Sequence, residues 1–247
     1  MVKIIKEINS VNNEYIKKLN KLKEKKYRDE EKLFLVEGYH LVLEAKEYLQ
    51  EVLITNEKDY IDGVKNILVN EAIIQKLSSV KSPQNIIGVC KYFDNLELSG
   101  NKFLILDNIQ DPGNLGTLIR SALGFNIDTI IAGSDTVNIY NEKVIRSTQG
   151  AIFHVNYVID DLEKVINKLK KRGVKIISTS LESSVNLKDV DKSILDSYAI
   201  ILGNEGSGVS EKIQKMADVN VKIEMNEKLE SLNVSVAGAI LMYYLND

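Results

Sequence analysis

The sequence predicts an α/β protein in two parts, a small α/β unit followed by a larger one built on a parallel sheet. Three observations carry that reading. From Lys102 onward, short apolar runs alternate with amphipathic segments, the pattern of strands covered by helices on both faces. Two of these runs, Phe103–Leu106 and Tyr198–Leu202, lead into Gly-bearing loops, where open α/β sheets bind ligands. A stretch of turn composition, residues 94–101, separates this region from the first third.

The first domain is read as residues 1–95. Asn12 or Asn13 is placed to cap a helix carrying Ile16, Leu19 and Leu22 on one face. An apolar run at 33–36, a helix around Leu41, Val42 and Ala45, and a strand at 52–55 follow. A run at 66–69, a helix at 71–77 and a strand at 86–92 complete the domain. Residues 96–101 form a linker. In the second domain, 102–247, strands are expected at 103–107, 129–132, 155–158, 174–179, 198–202 and 219–223. Helices are expected at 114–125, 142–149, 162–171, 209–216 and 232–245, with Pro112 and Gly113 as a turn and Asn114 as a cap.

With 247 residues, 44% of them hydrophobic, the chain can bury a real core. Its single cysteine, Cys90, stands in an apolar run, so an intrachain disulfide is excluded and a buried thiol expected. His40 and His154 lack neighbouring ligands at metal spacing, so no metal is expected. No N-terminal or long apolar segment stands out, which points to a cytoplasmic protein without a membrane partner.

A net charge of −3 argues against a general electrostatic nucleic-acid binder. Locally the balance is different. Lys17, Lys18, Lys21, Lys23, Lys25, Lys26 and Arg28 face one acid, Glu24, over about three helical turns. This run is either a solvated helix face or a phosphate-binding patch.

Three polar patches carry the chemistry. Asp111–Gly116 leads into a helix with Arg120 in its second turn. Asn114 and Arg120 are six residues apart, about 600° of rotation, so they do not share a helical face. Gly203, Gly206 and Gly208 are spaced GxxGxG. A dinucleotide fingerprint has GxGxxG with an acid about 20 residues on, so a nicotinamide oxidoreductase fits less well. Glu205, between these glycines, requires donors or a cation if it is buried. Ser231-Leu232-Asn233-Val234-Ser235 offers more polar groups than one helix cap uses.

Asn114, Gly116 and Arg120, then G-N-E-G-S-G at 203–208, then S-L-N-V-S at 231–235, resemble the three motifs of the SpoU (TrmH-type) RNA 2′-O-ribose methyltransferases of the SPOUT superfamily. The likeness covers roughly residues 102–247. Arg146-Ser147-Thr148-Gln149-Gly150-Ala151 resembles a softer signature, R-A-S-x-G-A, departing from it at Ser147 and Thr148. Phe34-Leu35-Val36-Glu37-Gly38 resembles part of the family's substrate-binding domain.

The resemblance implies a C-terminal trefoil knot, S-adenosylmethionine as cofactor, RNA (ribosomal by analogy) as substrate, and a homodimer through the C-terminal domain. It assigns Thr179, Ser180, Leu181, Gly203, Asn204, Gly206, Ile223, Met225 and Leu232 to the cofactor. Asn114, Arg120, Glu205, Ser231 and Asn233 form its catalytic centre, and Lys17, Lys18, Lys21, Lys25, Lys26 and Arg28 are the expected RNA contacts. Family proposals cast the arginine as a base. Its permanent charge fits it better to grip a phosphate and steady a developing alkoxide. The rival expectation is a non-catalytic RNA-binding or ribosome-assembly protein that keeps the fold.

Overall fold

The computed structural model describes residues 6–93, 97–180, 184–191 and 196–246. Contacts divide the chain into two compact units. One comprises the described residues up to 93 together with Asn138–Phe153. The other comprises those from 97 to Val137 and from His154 on.

The first unit runs β1 (Lys6–Ile8), α1 (Glu14–Lys21), α2 (Lys25–Glu31), β2 (Leu33–Glu37), α3 (Tyr39–Glu44), β3 (Leu49–Ile54), β4 (Lys65–Val69), α4 (Glu71–Leu77) and β5 (Ile86–Lys91). Its sheet has the order β1-β4-β3-β5-β2, with β5 antiparallel to both neighbours. Alternation of side chains gives it two buried faces. Leu53, Ile67, Ile87 and Val89 pack with Ile16 and Leu19 of α1 and Ile73, Ile74 and Leu77 of α4. Cys90 is fully buried, and burial pushes its thiol pKa up, out of the range of a nucleophile.

The basic run departs from its predicted form. It does not make one helix: Asn13 caps α1 through its side chain, and the chain breaks at 22–24 before α2. Arg28 closes the break. Only 5% exposed, it donates to the carbonyls of Leu22 (2.9 Å) and Lys23 (2.8 Å), satisfying the end of α1. Its expected role in RNA contact is therefore corrected to a structural one.

Segment 138–153 lies within the second domain by sequence, yet packs in the first unit. Its helix is α6 (Glu142–Thr148). Tyr140 stacks on Tyr92 with centroids 3.7 Å apart, and its hydroxyl accepts from the Phe93 amide at 3.0 Å. Arg146 donates to the Ser79 hydroxyl, and His40 Nε2 meets the Gln149 carbonyl at 3.1 Å. Gly150 has φ +94°, and a Cβ there would lie 2.7 Å from Glu44 Cγ, so the signature's glycine answers to both conformation and space.

The second unit runs β6 (Lys102–Leu106), α5 (Pro112–Gly124), β7 (Thr129–Ala132), β8 (Asn156–Ile159), α7 (Leu162–Lys171), β9 (Lys175–Thr179), β10 (Val185–Asn186), β11 (Tyr198–Leu202), α8 (Glu211–Gln214), β12 (Val219–Lys222) and α9 (Val234–Leu245). Its described strands form one sheet, order β10-β12-β9-β11-β6-β7-β8, parallel at every pairing. Phe103, Ile105, Ile131, Ala199 and Ile201 pack on α7 and Ile213 of α8. The opposite face meets α5 and α9, where Gly238 lets α9 approach Leu118 and Leu202 closely. Both faces are covered, as the continuous apolar strands require.

Helix α5 starts two residues earlier than expected. Asp111 caps it by accepting from the Asn114 amide at 2.9 Å, and Pro112 takes the first position, where no N–H is missed. Asn114 is thus inside the first turn and its side chain is not used as a cap. Helix α9 instead starts two residues later than expected, at Val234, with Asn233 as its cap.

Candidate active site

A cleft of about 760 Å3 opens at the carboxyl ends of β9, β11 and β12. Thr179, Ser180, Gly203, Asn204, Gly206, Ile223, Met225 and Leu232 line it, together with Glu205, Ser231 and Asn233. Leu181 lies outside the described residues. The apolar part of the wall comes from Leu202, Val221, Ala237 and Leu241. Both volume and mixed lining suit an organic ligand.

The 203–208 loop is held by its own chain. Asn204 and Gly208 exchange backbone hydrogen bonds at 2.9 Å. Asn204 Oδ1 accepts from the amides of Gly206 (2.9 Å) and Ser207 (3.1 Å), while its Nδ2 donates to the Asn108 carbonyl at 3.0 Å. A Cβ on Gly203 would fall 2.1 Å from the backbone at 208–209, so the turn closes only around glycine. Gly206 is different. Its nearest atom beyond its chain neighbours would be Asn204 Oδ1, at 3.6 Å.

Glu205 reaches from this loop to the start of α5. Its carboxylate accepts from the amides of Gln110 (3.1 Å) and Asp111 (3.0 Å) and from Asn114 Nδ2 (3.1 Å). Burial pushes its pKa up, but the bonds from Asn114, Asp111 and Gln110 outweigh this and hold it below the ordinary glutamate value. It is a carboxylate at neutral pH. Asn114 Oδ1 in turn accepts from Asn233 Nδ2 at 2.9 Å. Asn233 Oδ1 accepts from the Ser235 amide (2.9 Å), the Ser235 hydroxyl (2.6 Å) and the Val236 amide (3.4 Å).

Three loops far apart in sequence are thereby tied by one polar chain: Ser235, Asn233, Asn114, Glu205. Ser231 lines the cleft beside it. Arg120 does not join. It is exposed on α5 and has no hydrogen-bond or ion-pair partner among the described residues. Asn108 and Gln110, which lie outside the motifs, and Ser235, which lies inside the third motif but has no role assigned from the sequence, complete the frame. Asn108 has φ +62°, and its Oδ1 and the Asp135 carbonyl both accept from Gln110 Nε2. The sequence signal for them is their closeness to the motifs: Asn108 and Gln110 precede Asp111, and Ser235 ends the third patch.

Residues 101–243 match the family model described as the SpoU rRNA Methylase family, and residues 13–88 match the MRM3-like substrate binding domain. The chain belongs to the SpoU rRNA methylase family. The 23S rRNA (guanosine(2553)-2′-O)-methyltransferase RlmP of Bacillus subtilis (strain 168) is 36% identical over 98% of this chain and 99% of that relative. The 23S rRNA (guanosine-2′-O-)-methyltransferase RlmB of Coxiella burnetii is 32% identical over 76% and 78%. Among solved structures, the AdoMet-bound rRNA methyltransferase from Sinorhizobium meliloti aligns with a TM-score of 0.88 at 26% identity, over 98% of this chain and 97% of that one. The α/β SPOUT fold expected from the motifs is the fold found.

A SpoU cleft has to accept S-adenosylmethionine, and the residues present suit it. Apolar side chains and backbone edges can enclose an adenosine, and the Glu205 and Glu230 carboxylates bring negative charge to a cationic ligand. Asn220, on β12, also lines the cleft, and its Oδ1 is buried without a partner among the described residues. A buried acceptor of that kind calls for a donor.

Proposed function

We propose that this chain transfers a methyl group from S-adenosylmethionine to a ribose 2′-hydroxyl of ribosomal RNA. The observation that carries the reading is the Ser235–Asn233–Asn114–Glu205 chain at the edge of the cleft, where the three family motifs meet.

When bound, S-adenosylmethionine supplies a methyl already activated on a sulfonium. The protein's part is then alignment and the fate of the hydroxyl proton. Thr179, Ser180, Gly203, Asn204, Gly206, Ile223, Met225 and Leu232 hold the cofactor, and Leu181 joins them on family resemblance. Asn114, fixed at both amide atoms, and Glu205 set the position of the ribose, with Ser231 and Asn233 beside them. Arg120 grips the neighbouring phosphate and stabilises the developing alkoxide. Proton loss goes to water or phosphate, because a guanidinium stays charged.

The active form in this reading is a homodimer through the second unit. Leu123, three residues after Arg120 on α5, is exposed, and so are Val236, Ile240 and Tyr243 along α9. Tyr243, 69% exposed, packs edge-on against Phe125 at 5.9 Å, leaving an apolar face for a second copy. Arg120 is exposed three residues, a little under one turn, before Leu123, and in this reading the site lies near the interface. The trefoil knot implied by the family and a cytoplasmic setting belong to the same reading. In the first domain the phosphate contacts are Lys17, Lys18, Lys21, Lys25 and Lys26.

Methyl transfer from tritiated cofactor to ribosomal RNA, with ribose-methyl mapping in cells with and without the protein, tests the proposal. Calorimetry separates it from its rival: a non-catalytic RNA-binding protein takes up no S-adenosylmethionine.

A further inference from the structure

The first unit carries a second hollow, of about 590 Å3, lying where β1, β3 and β4 end and β5 begins. Carboxyl ends of parallel strands are where open α/β sheets receive ligands. Glu7, Tyr39, Thr55, Asp59, Glu71 and Asn85 are among its walls, and among the described residues no lysine or arginine is.

Tyr39 is its unusual member. It opens α3, directly after β2, and is held at two points. Its amide donates to Gln84 Oε1 at 2.8 Å, and its hydroxyl donates to Asp59 Oδ2 at 2.8 Å. Yet the residue is 39% exposed. A ring fixed at backbone and tip but left open to solvent contributes little to the core. It does make a pre-ordered platform, because its rotamer freedom has already been lost on folding.

The surrounding groups narrow the occupant. Carboxylates at Glu7, Asp59 and Glu71 repel a phosphate, so the hollow does not track an RNA backbone. They accept from N–H groups, and guanine alone among the bases presents adjacent N1–H and N2–H donors on its pairing edge. The Asn85 side-chain amide and the Thr55 hydroxyl have no hydrogen-bond partner among the described residues and can serve the remaining edge atoms. We infer that this hollow receives one unpaired base of the RNA substrate, a guanine, stacked on Tyr39 and read by the carboxylates around it. The inference rests on the reading of this chain as an RNA-modifying enzyme and adds a base-reading site in the first unit.

The test uses the full chain and two fluorescein-labelled 12-mers, oligouridylate and the same strand with one central guanosine. Stacking on Tyr39 holds any base in place, and the preference comes from the base edge, where a two-bond contact discriminates by roughly 5- to 150-fold. The guanosine strand is therefore expected to bind about tenfold tighter, and Tyr39→Ala to erase that difference with thermal stability and cofactor affinity unchanged. Tyr39→Phe keeps the ring and retains most of the preference. Replacing the guanosine with inosine, which lacks the 2-amino group, should weaken binding. Equal binding of the two strands by the native chain overturns the inference. So does a guanosine preference that survives Tyr39→Ala, the result expected if the hollow instead takes a basic protein segment. Neither result touches methyl transfer itself; absence of transfer to any ribosomal RNA would overturn the enzymatic reading instead.

Discussion

Asn233 donates from Nδ2 to Asn114 Oδ1 at 2.9 Å, joining residues 119 positions apart. The direction of this bond is set from the Asn233 end. Its Oδ1 is engaged by the first amides of α9, so only its Nδ2 is free to reach α5. Asn114 must then present Oδ1 to Asn233 and Nδ2 to Glu205. The start of α9 thus determines which way the Asn114 amide points.

Glu205 is the acceptor at the far end, and its charge should matter more than its shape. Glu205→Gln keeps the volume but brings an NH2 where a carboxylate oxygen accepted. Hydrogen bonds to charged groups are worth about 1.5–3 kcal/mol, so methyl transfer should fall roughly 10- to 150-fold. Single-turnover transfer at saturating RNA measures this. An unchanged rate would detach Glu205 from the chemistry.

The same carboxylate gives a pH dependence of known sign. Its folded pKa is depressed, so the bonds it accepts are fully present above the ordinary glutamate value and are lost as pH falls through the folded value. Side-chain amide resonances of Asn114 and Asn233, followed by NMR from pH 7 downward, should move together in that acid window. In Glu205→Gln the shared transition should be absent.

The two glycines of the cofactor loop should separate. Gly203→Ala drives a Cβ to 2.1 Å from the backbone at 208–209, so the turn must open. Steric overpacking costs about 1–3 kcal/mol, and thermal melting should register it along with loss of cofactor affinity. Gly206→Ala meets nothing closer than 3.6 Å and should leave the melting temperature unchanged. Its effect on calorimetric S-adenosylmethionine affinity then reports on ligand contact alone.

How much of this is legible in the sequence depends on the kind of signal. Strands β6, β7 and β11 and helix α7 are readable because they are long apolar or amphipathic runs with a single period. The start of α5 is misplaced by two residues, since Asp111, Pro112 and Asn114 are all acceptable near a helix start and only three-dimensional demand on Asn114 decides among them. Strands β1 and β10, three and two residues long, carry too little pattern to be seen. The site's membership is visible as Gly-rich and polar junctions. Its wiring is not, because a bond such as Asn233 to Asn114 depends on the order of strands in the sheet.

The basic run reads as one patch in the sequence, and in the fold its members divide. Arg28→Ala removes two bonds from a charged donor, one buried and one partly buried, and should destabilise the first unit by at most about 1.5–3 kcal/mol for each bond. Lys17, Lys18 and Lys25 are paired with Glu14, Glu31 and Asp29, whereas Lys21 and Lys26 sit against the Tyr27 ring. Lys21→Gln with Lys26→Gln should leave stability intact and weaken RNA binding. The slope of log affinity against log salt should flatten by roughly 0.7–0.9 for each phosphate that is no longer neutralised. An unchanged slope would make them a solvated face.

Arg120 offers the sharpest separation of chemistry from architecture. It is exposed, stands outside the Glu205–Asn114–Asn233 chain, and has no hydrogen-bond or ion-pair partner among the described residues. The fold therefore gains little from it, and Arg120→Ala should melt within about 0.5 kcal/mol of the native chain. Cofactor affinity should persist as well, because Arg120 does not line the cleft. Methyl transfer should nevertheless fall by about two orders of magnitude or more, as when a fixed charge is removed from a developing anion. Arg120→Lys decides what the arginine supplies. Lysine keeps the charge but not the planar fork that can hold a phosphate and an alkoxide together. Geometry predicts a variant nearly as slow as alanine, and charge alone predicts one that recovers most of the rate. Single-turnover assays with tritiated cofactor at saturating RNA distinguish the two. A fully active Arg120→Ala enzyme would remove the arginine from the mechanism and leave the alkoxide to be stabilised from within the cleft.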